Sequence, residues 1–210
     1  MTADLPVVEP PFDEGDGDGT VVGVLLAAGE STRFGEANKL LAEWDGAPLV
    51  AHTARTLCRS TVDAVVVVVG HEADRVRAAV ADHDVTVVDN PDYEAGQATS
   101  VRRGVTAARD RGADAVLFAL GDMPTVRAAT VDRLVAAFRA GAGSALAAAY
   151  EGTRGNPVLF GARHFDALAD VTGDVGGRDI LLGDGDAALV ETGDPGVLLD
   201  IDRPADLDDL

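Results

Sequence analysis

Lysine and cysteine are nearly missing from this chain of 210 residues; each occurs once, as Lys39 and Cys58. A lone cysteine closes no intramolecular disulfide and supports no cysteine-based zinc site. Basic residues of any kind are scarce, 17 against 36 acidic ones, so the formal charge is -19. Binding to nucleic acid rests on clustered Lys and Arg at the phosphates. A field this negative repels a polyanion, and no nucleic-acid partner is expected. No apolar run approaches the roughly 18 residues of a membrane helix. The N-terminus has neither the basic start nor the small-residue cleavage site of a signal peptide. The expectation is a cytoplasmic protein with no membrane partner. Aromatics make up only 4% of the chain, yet 47% of it is hydrophobic. That is enough to bury a core without disulfide or metal staples.

The acids are spread along the whole chain rather than gathered in a tail, and every basic residue but Lys39 is Arg. Dispersed acid points to a solvent adaptation more than to one cationic partner. A high-salt cytoplasm, where the screening length falls to about 3 Å at 1 M salt, fits it, so the chain is expected to be halophilic.

Residues 1–20 are rich in Pro and acid and are read as a disordered leader. Their Asp-Gly alternation does not fit an EF-hand, because position five falls on Thr20 and the closing Glu is absent. From residue 21 the pattern is strand, loop, helix, repeated. Apolar runs at 21–28, 62–69, 85–88 and 115–120 fit buried parallel strands. Amphipathic stretches at 48–59, 72–81, 99–111 and 130–140 fit the helices between them. Further strands are expected at 145–150, 156–160, 189–192 and 197–201, with short helices at 164–169 and 178–182 and a last turn opened by Pro204. Residues 21–210 are therefore expected to form one α/β domain, a three-layer sandwich with a mostly parallel open sheet and helices on both faces. Cys58, inside an apolar helix, reads as a small core residue.

In such sheets ligands bind beyond the carboxyl ends of the strands, and three unusual segments fall there. The first runs Leu26-Ala27-Ala28-Gly29-Glu30-Ser31-Thr32-Arg33-Phe34-Gly35 and reaches Lys39. Glycine permits close backbone approach, and Arg33 with Lys39 supplies cations for phosphates. A Walker loop is excluded, since Glu36 follows Gly35, and the dinucleotide fingerprint is absent. The second is Gly121-Asp122-Met123-Pro124, which puts a carboxylate at a strand end, as phosphoryl-transfer sites do to hold Mg2+. The third runs from Asn90 to Ser100, with Gly96 and hydroxyls where a helix begins, a place that attracts anions.

Leu-Ala-Ala-Gly-x-Ser-x-Arg-x-Gly followed by Lys resembles the signature of the MobA-like NTP transferase family, within the nucleotide-diphospho-sugar transferase superfamily. Glu94-x-Gly96-x-x-x-Ser100-x-x-x-Gly104 looks like its base- and ribose-side loop. Gly121-Asp122-Met123-Pro124 looks like its metal motif, and Gly155-Asn156-Pro157 resembles the pterin-side segment of the molybdenum cofactor branch. Gly173-Asp174-x-Gly176-Gly177-Arg178 and the Asp200-Ile201-Asp202-x-Pro204 run are similar to that branch's C-terminal half. The resemblance implies a Rossmann-like nucleotidyltransferase fold and transfer of CMP from CTP to the terminal phosphate of molybdenum-molybdopterin, with Mg2+ as cofactor. Ala28, where guanylyl enzymes of the branch carry Gly, implies CTP. Arg33, Lys39 and Asp122 are the implied catalytic residues. Ala27, Ala28, Gly29, Arg33, Lys39, Gly96 and Ser100 are the implied nucleotide contacts. Asn156, Pro157 and Arg178 would face the pterin-phosphate acceptor, and Asp202, with Asp200 as its alternate, would join Asp122 at the metal. A molybdenum hydroxylase or its maturation factor is the implied partner. Two rival readings share parts of these motifs: a sugar- or polyol-phosphate nucleotidyltransferase, and a non-catalytic carrier of the molybdenum cofactor.

If the dispersed acid is a salt adaptation, the melting midpoint should climb steadily from low to multi-molar KCl as self-repulsion is screened. Equal midpoints at the two extremes would refute the adaptation.

Overall fold

The computed structural model describes residues 5–12, 18–31, 34, 37–173 and 176–209. The strands are β1 (Val7–Val8), β2 (Val21–Ala27), β3 (Glu43–Trp44), β4 (Ala47–Pro48), β5 (Ala64–Val69), β6 (Thr86–Asp89), β7 (Ala115–Leu120), β8 (Ala145–Tyr150), β9 (Thr153–Gly161) and β10 (Ala187–Glu191). The helices are α1 (Leu49–Cys58), α2 (Ala73–Ala79), α3 (Gln97–Arg109), α4 (Ala128–Arg139), α5 (Phe165–Ala169) and α6 (Arg178–Gly183). Eight strands form one sheet in the order β1-β10-β8-β9-β7-β2-β5-β6, while β3 and β4 make a separate small hairpin. Within the large sheet, β9 alone runs antiparallel to its neighbours β7 and β8; the other pairings are parallel.

Strand alternation explains the layers. In β5, Val65, Val67 and Val69 join the core packed against α1, α2 and α4, through residues such as Leu57, Val76 and Leu134. Val66 and Val68 point to the other core, with Val101 and Val105 of α3, Leu168 of α5 and Leu181 of α6. A strand buried on both faces must be apolar at every position, which is why β5 is almost pure Val. Each such side chain contributes about 1.5–3 kcal/mol on burial. The fold is the expected three-layer α/β sandwich.

The single antiparallel strand follows from a turn. Tyr150 pairs with Thr153 across Glu151 and Gly152, whose φ angles are 49° and 72°. Two positive φ values in a two-residue loop match the twist of a hairpin, so β9 folds back beside β8. It therefore starts at the sheet edge where β2, β5 and β7 end, and that edge carries the site.

Three expectations need correction. Within the segment read as a structureless leader, Val7–Val8 forms an edge strand, pairing with Leu189 and Val190; two apolar residues among acids suffice where a ladder edge is open. The strand expected at 197–201 is instead a 3-10 turn, Pro195–Leu198, whose Gly196 N–H donates to the Asp194 carboxylate. Cys58 is exposed at the end of α1, outside the core.

Gly104 brings α3 close to the sheet. A Cβ there would lie 2.7 Å from Val24 Cγ1 and 2.9 Å from Phe118 Cε1, both in buried, stiff surroundings. In Gly104→Ala the helix propensity gained is about 1 kcal/mol, against an overpacking cost of about 1–3 kcal/mol. The variant should lose about 1 kcal/mol net, read as a lower urea midpoint; an unchanged or higher midpoint would show that α3 does not depend on this approach.

Candidate active site

Lys39 stands in a 3-10 turn, Lys39–Leu41, held at both ends. The side chain of Asn38, itself buried, accepts from the Leu40 N–H at 3.1 Å. Leu40 is buried beside Gly121, where a Cβ would come within 3.0 Å of its Cδ2. That glycine lets Leu40 settle against the end of β7 and delivers Lys39 to the next residue, Asp122. The Lys39 ammonium lies 2.6 Å from Asp122 Oδ2 and 3.2 Å from Asp202 Oδ1. Asp202 is brought in by the C-terminal segment, pinned where the Ile201 N–H donates to the Asp122 carbonyl at 2.9 Å. Burial of the ammonium works to lower its pKa, but the charge and hydrogen bonds of the two carboxylates outweigh this, and the net shift is upward.

These groups line a cavity of about 540 Å³. Ala28, Gly29, Gly96 and Ser100 border it as well. Gly29 meets no atom within 4 Å of where a Cβ would stand, so packing does not demand glycine there; its bareness leaves the backbone open to the cleft. Gly96 is different, since its φ of 101° and ψ of 170° suit glycine alone. The turn frees the start of α3 from any side-chain cap. Buried Asn90 organises this start, donating to Thr99 Oγ1 at 2.8 Å and Ser100 Oγ at 3.0 Å. Ser100 thus accepts from Asn90, and its own proton is bonded to no described residue. Gly104, the last residue of the same motif, serves helix packing and not the cleft.

A second cavity, of about 570 Å³, adjoins the first, sharing Leu26, Gln97 and Leu120 as walls. It is bordered by Asn156 and Arg178. Here the β8–β9 ladder breaks: Ala147 faces Val158, but Ala149 already faces Arg154. Residues 155–157, Gly-Asn-Pro, form the bulge, and bulges re-aim side chains. Gly155 makes room for the Val197 carbonyl, which a Cβ would approach to 2.1 Å. Asn156 reaches the second cavity. Pro157 is buried and borders a separate small void with Thr53, Met123 and Val126.

Of the residues named from the sequence, Ala28, Gly29, Lys39, Gly96, Ser100, Asp122 and Asp202 come together in the first cavity, and Asn156 and Arg178 in the second. Ala27 turns into the core, Pro157 faces the void, and Asp200 is exposed and borders neither cavity. Arg33 lies outside the described residues, as does Asp174. Sequence reasoning missed Gln97, which walls both cavities, and Arg154, which lies between the strands expected at 145–150 and 156–160. Asn38 carried a legible signal, an Asn directly before a turn.

The donor set suits a hard divalent cation. Asp122 Oδ1 is buried and has no hydrogen-bond partner, and carboxylate oxygens are the ligands such ions prefer. Among the described residues no cluster of three or more His, Cys, Asp or Glu is poised to hold a metal, so phosphate or water oxygens would complete the shell.

The MobA-like NTP transferase domain matches residues 23–188. The chain is 35% identical over 169 residues to nicotine blue oxidoreductase of Paenarthrobacter nicotinovorans, covering 77% of this chain and 81% of that one. It is 31% identical over 197 residues to the purine catabolism protein PucB of Bacillus subtilis (strain 168), covering 90% and 94%. A solved nucleotidyl transferase from Methanothermobacter (Mth528) superposes with a TM-score of 0.76 at 30% identity, covering 89% of this chain and 94% of that one. Rv0371c of Mycobacterium tuberculosis, solved in complex with manganese, gives 0.65 at 28% identity, covering 89% and 92%. Fold, domain and neighbours define an enzyme of the nucleotidyltransferase class. Within that class the chain belongs to the MobA-like NTP transferase family.

Replacing Lys39 by Met would leave two carboxylates facing each other. Because the side chains retain 16%, 17% and 36% of their exposure, the loss should be about 1–2 kcal/mol, below the 3–5 kcal/mol of a fully buried pair. The Lys39 pKa is raised, so this stability is fully present below 10.5 and is lost as pH rises through the higher folded value. Urea midpoints of parent and Lys39→Met should differ by a constant amount from neutral pH upward and converge only above that point. A gap that closes earlier would contradict the geometry.

Proposed function

We propose that the chain transfers CMP from CTP to the terminal phosphate of a molybdenum-molybdopterin acceptor. An acceptor phosphate oxygen attacks the α-phosphorus, a new P–O–P bond forms, and the α–β anhydride breaks to release pyrophosphate. The observation that carries this reading is the junction of two cavities at Leu26, Gln97 and Leu120, with the Lys39–Asp122 pair in one and Asn156 with Arg178 in the other. The nucleophile is already ionised near neutral pH, so no general base is needed; catalysis rests on alignment and charge.

The ammonium of Lys39 has three donors; it can keep one carboxylate while donating to the α-phosphate, where charge builds. Arg33 is assigned to the β- and γ-phosphates, and Gly29, Gly96 and Ser100 to the nucleoside. Ala28 at the cleft wall supports cytosine. Asp122, with Asp202, would hold Mg2+, which would neutralise triphosphate charge when bound. Asn156 and Arg178 are assigned to the acceptor. A sugar-phosphate acceptor would use the first cavity equally well, but the second is walled by Phe118 and Phe160, which favours a flat ring. The oxidoreductase name of one relative suggests redox chemistry, yet Ala27-Ala28-Gly29-Glu30 stands where a dinucleotide fingerprint would begin. The reading carries with it a cytoplasmic location and hand-over to a molybdenum hydroxylase or its maturation factor.

Thermal stabilisation across CTP, GTP, ATP and UTP with Mg2+ tests the nucleotide, since a ligand at about 100 Kd adds about 2.7 kcal/mol. CTP should give the largest shift, and a clear preference for GTP would overturn the role of Ala28. With CTP, Mg2+ and molybdenum-molybdopterin, pyrophosphate release should fall about 100- to 1,000-fold in Lys39→Ala, in kcat more than KM. Near-normal turnover would remove Lys39 from the reaction.

A further inference from the structure

In an acid-rich chain, every arginine has many carboxylates it could pair with. Seven described arginines do so, among them Arg77 with Asp89 and Arg163 with Asp184. Eight do not, and of these only Arg154 and Arg178 border a cavity. They come from different elements, the start of β9 and the start of α6, and border the same cavity. Asp179 borders it too, within ion-pair distance of neither. Arg154 is half-buried and Arg178 exposed. Burial, followed by the like charge of Arg178, holds the Arg154 guanidinium below its usual pKa. Two cations from different elements border one cavity, neither paired with a described carboxylate in a chain of 36 acids, and both are available to an anionic ligand.

We propose that Arg154 and Arg178 form a two-guanidinium clamp for the phosphate group of the acceptor. This rests on the reading of the second cavity as the acceptor site and adds Arg154, which the motifs did not single out. Guanidinium groups bind phosphate through paired, charge-assisted hydrogen bonds. The bulge at residues 155–157 sets Arg154 opposite Ala149 at the ladder's last pairs, so its backbone is fixed while its side chain enters the cavity. The apolar walls Phe118, Phe160 and Leu181 would seat a ring beside the clamped anion. Neither guanidinium pairs with a described carboxylate, so both can turn to one bound anion.

A site kept for a ligand leaves a signature that a structural arginine would not. The wild-type protein, Arg154→Gln and Arg154→Lys are compared at fixed KCl by thermal unfolding, first alone, then with CTP and Mg2+, then with CTP, Mg2+ and either naphthyl phosphate or inorganic phosphate. Without ligand, Arg154→Gln should melt at the wild-type temperature or above it. CTP should stabilise all three equally. Naphthyl phosphate should bind wild type more tightly than inorganic phosphate, and its dissociation constant should rise about 10-fold in Arg154→Gln and recover partly in Arg154→Lys. A lower unliganded midpoint in Arg154→Gln would make Arg154 a structural residue and overturn the clamp. Unchanged naphthyl phosphate affinity in Arg154→Gln, no naphthyl phosphate binding by a wild type that binds CTP, or equal affinity for inorganic phosphate would also overturn it while leaving the nucleotide site standing. Failure of wild type to bind CTP would instead sink the cytidylyl-transfer reading, and the acceptor role with it.

Discussion

The arrangement depends on one ammonium group shared by two carboxylates. Lys39 joins the loop after β2, the end of β7 and the C-terminal segment in a single contact. In a chain of charge -19, Asp122 and Asp202 would otherwise drive these segments apart. Because the contact is partly shielded from water, salt screens it less than it screens the surface acids. The same charge that closes the molecule is the one a triphosphate would recruit. On the proposed function, folding and ligand binding draw on one group; the contact itself holds the cleft in shape.

Around that contact, two departures from regular sheet geometry divide the edge into two compartments. The left-handed Gly96 opens the start of α3 to the first cavity. The bulge at residues 155–157 turns Asn156 toward the second and Pro157 away from it. Glycine acts differently at each position. Gly96 supplies a dihedral angle, Gly104 and Gly121 supply close packing, and Gly29 supplies only bare backbone.

Charge is distributed with the same economy. Seven of the fifteen described arginines pair with carboxylates, and an exposed pair adds little stability. The described cations that border the two cavities are Lys39, tied but with donors to spare, and the Arg154 and Arg178 pair, tied to no described carboxylate. Among the described residues the second cavity is the locally cationic one, with Arg154 and Arg178 against Asp179, whereas the first sets Lys39 among Glu30, Glu94, Asp122 and Asp202.

Much of this was legible in the chain. Short Val-rich runs fit strands buried on both faces, and their alternation with amphipathic stretches gave the layered α/β architecture. The candidate site residues stood out because the single Lys fell in the glycine-bearing segment after a strand end. What periodicity could not show were features set by contacts between distant segments. Val7–Val8 becomes a strand because β10 offers an open edge. Cys58 is exposed because α1 ends as it leaves the core. Pro157 shares its motif with Asn156, yet points elsewhere because the ladder slips there. The residue types, and the segments that carry them, were determined by the sequence, because local polarity and backbone freedom are local properties. Which side chains share a cavity was decided by the tertiary structure, because a partner 163 residues away, such as Asp202 for Lys39, is brought close only when the sheet, its crossovers and the C-terminal segment have closed around it.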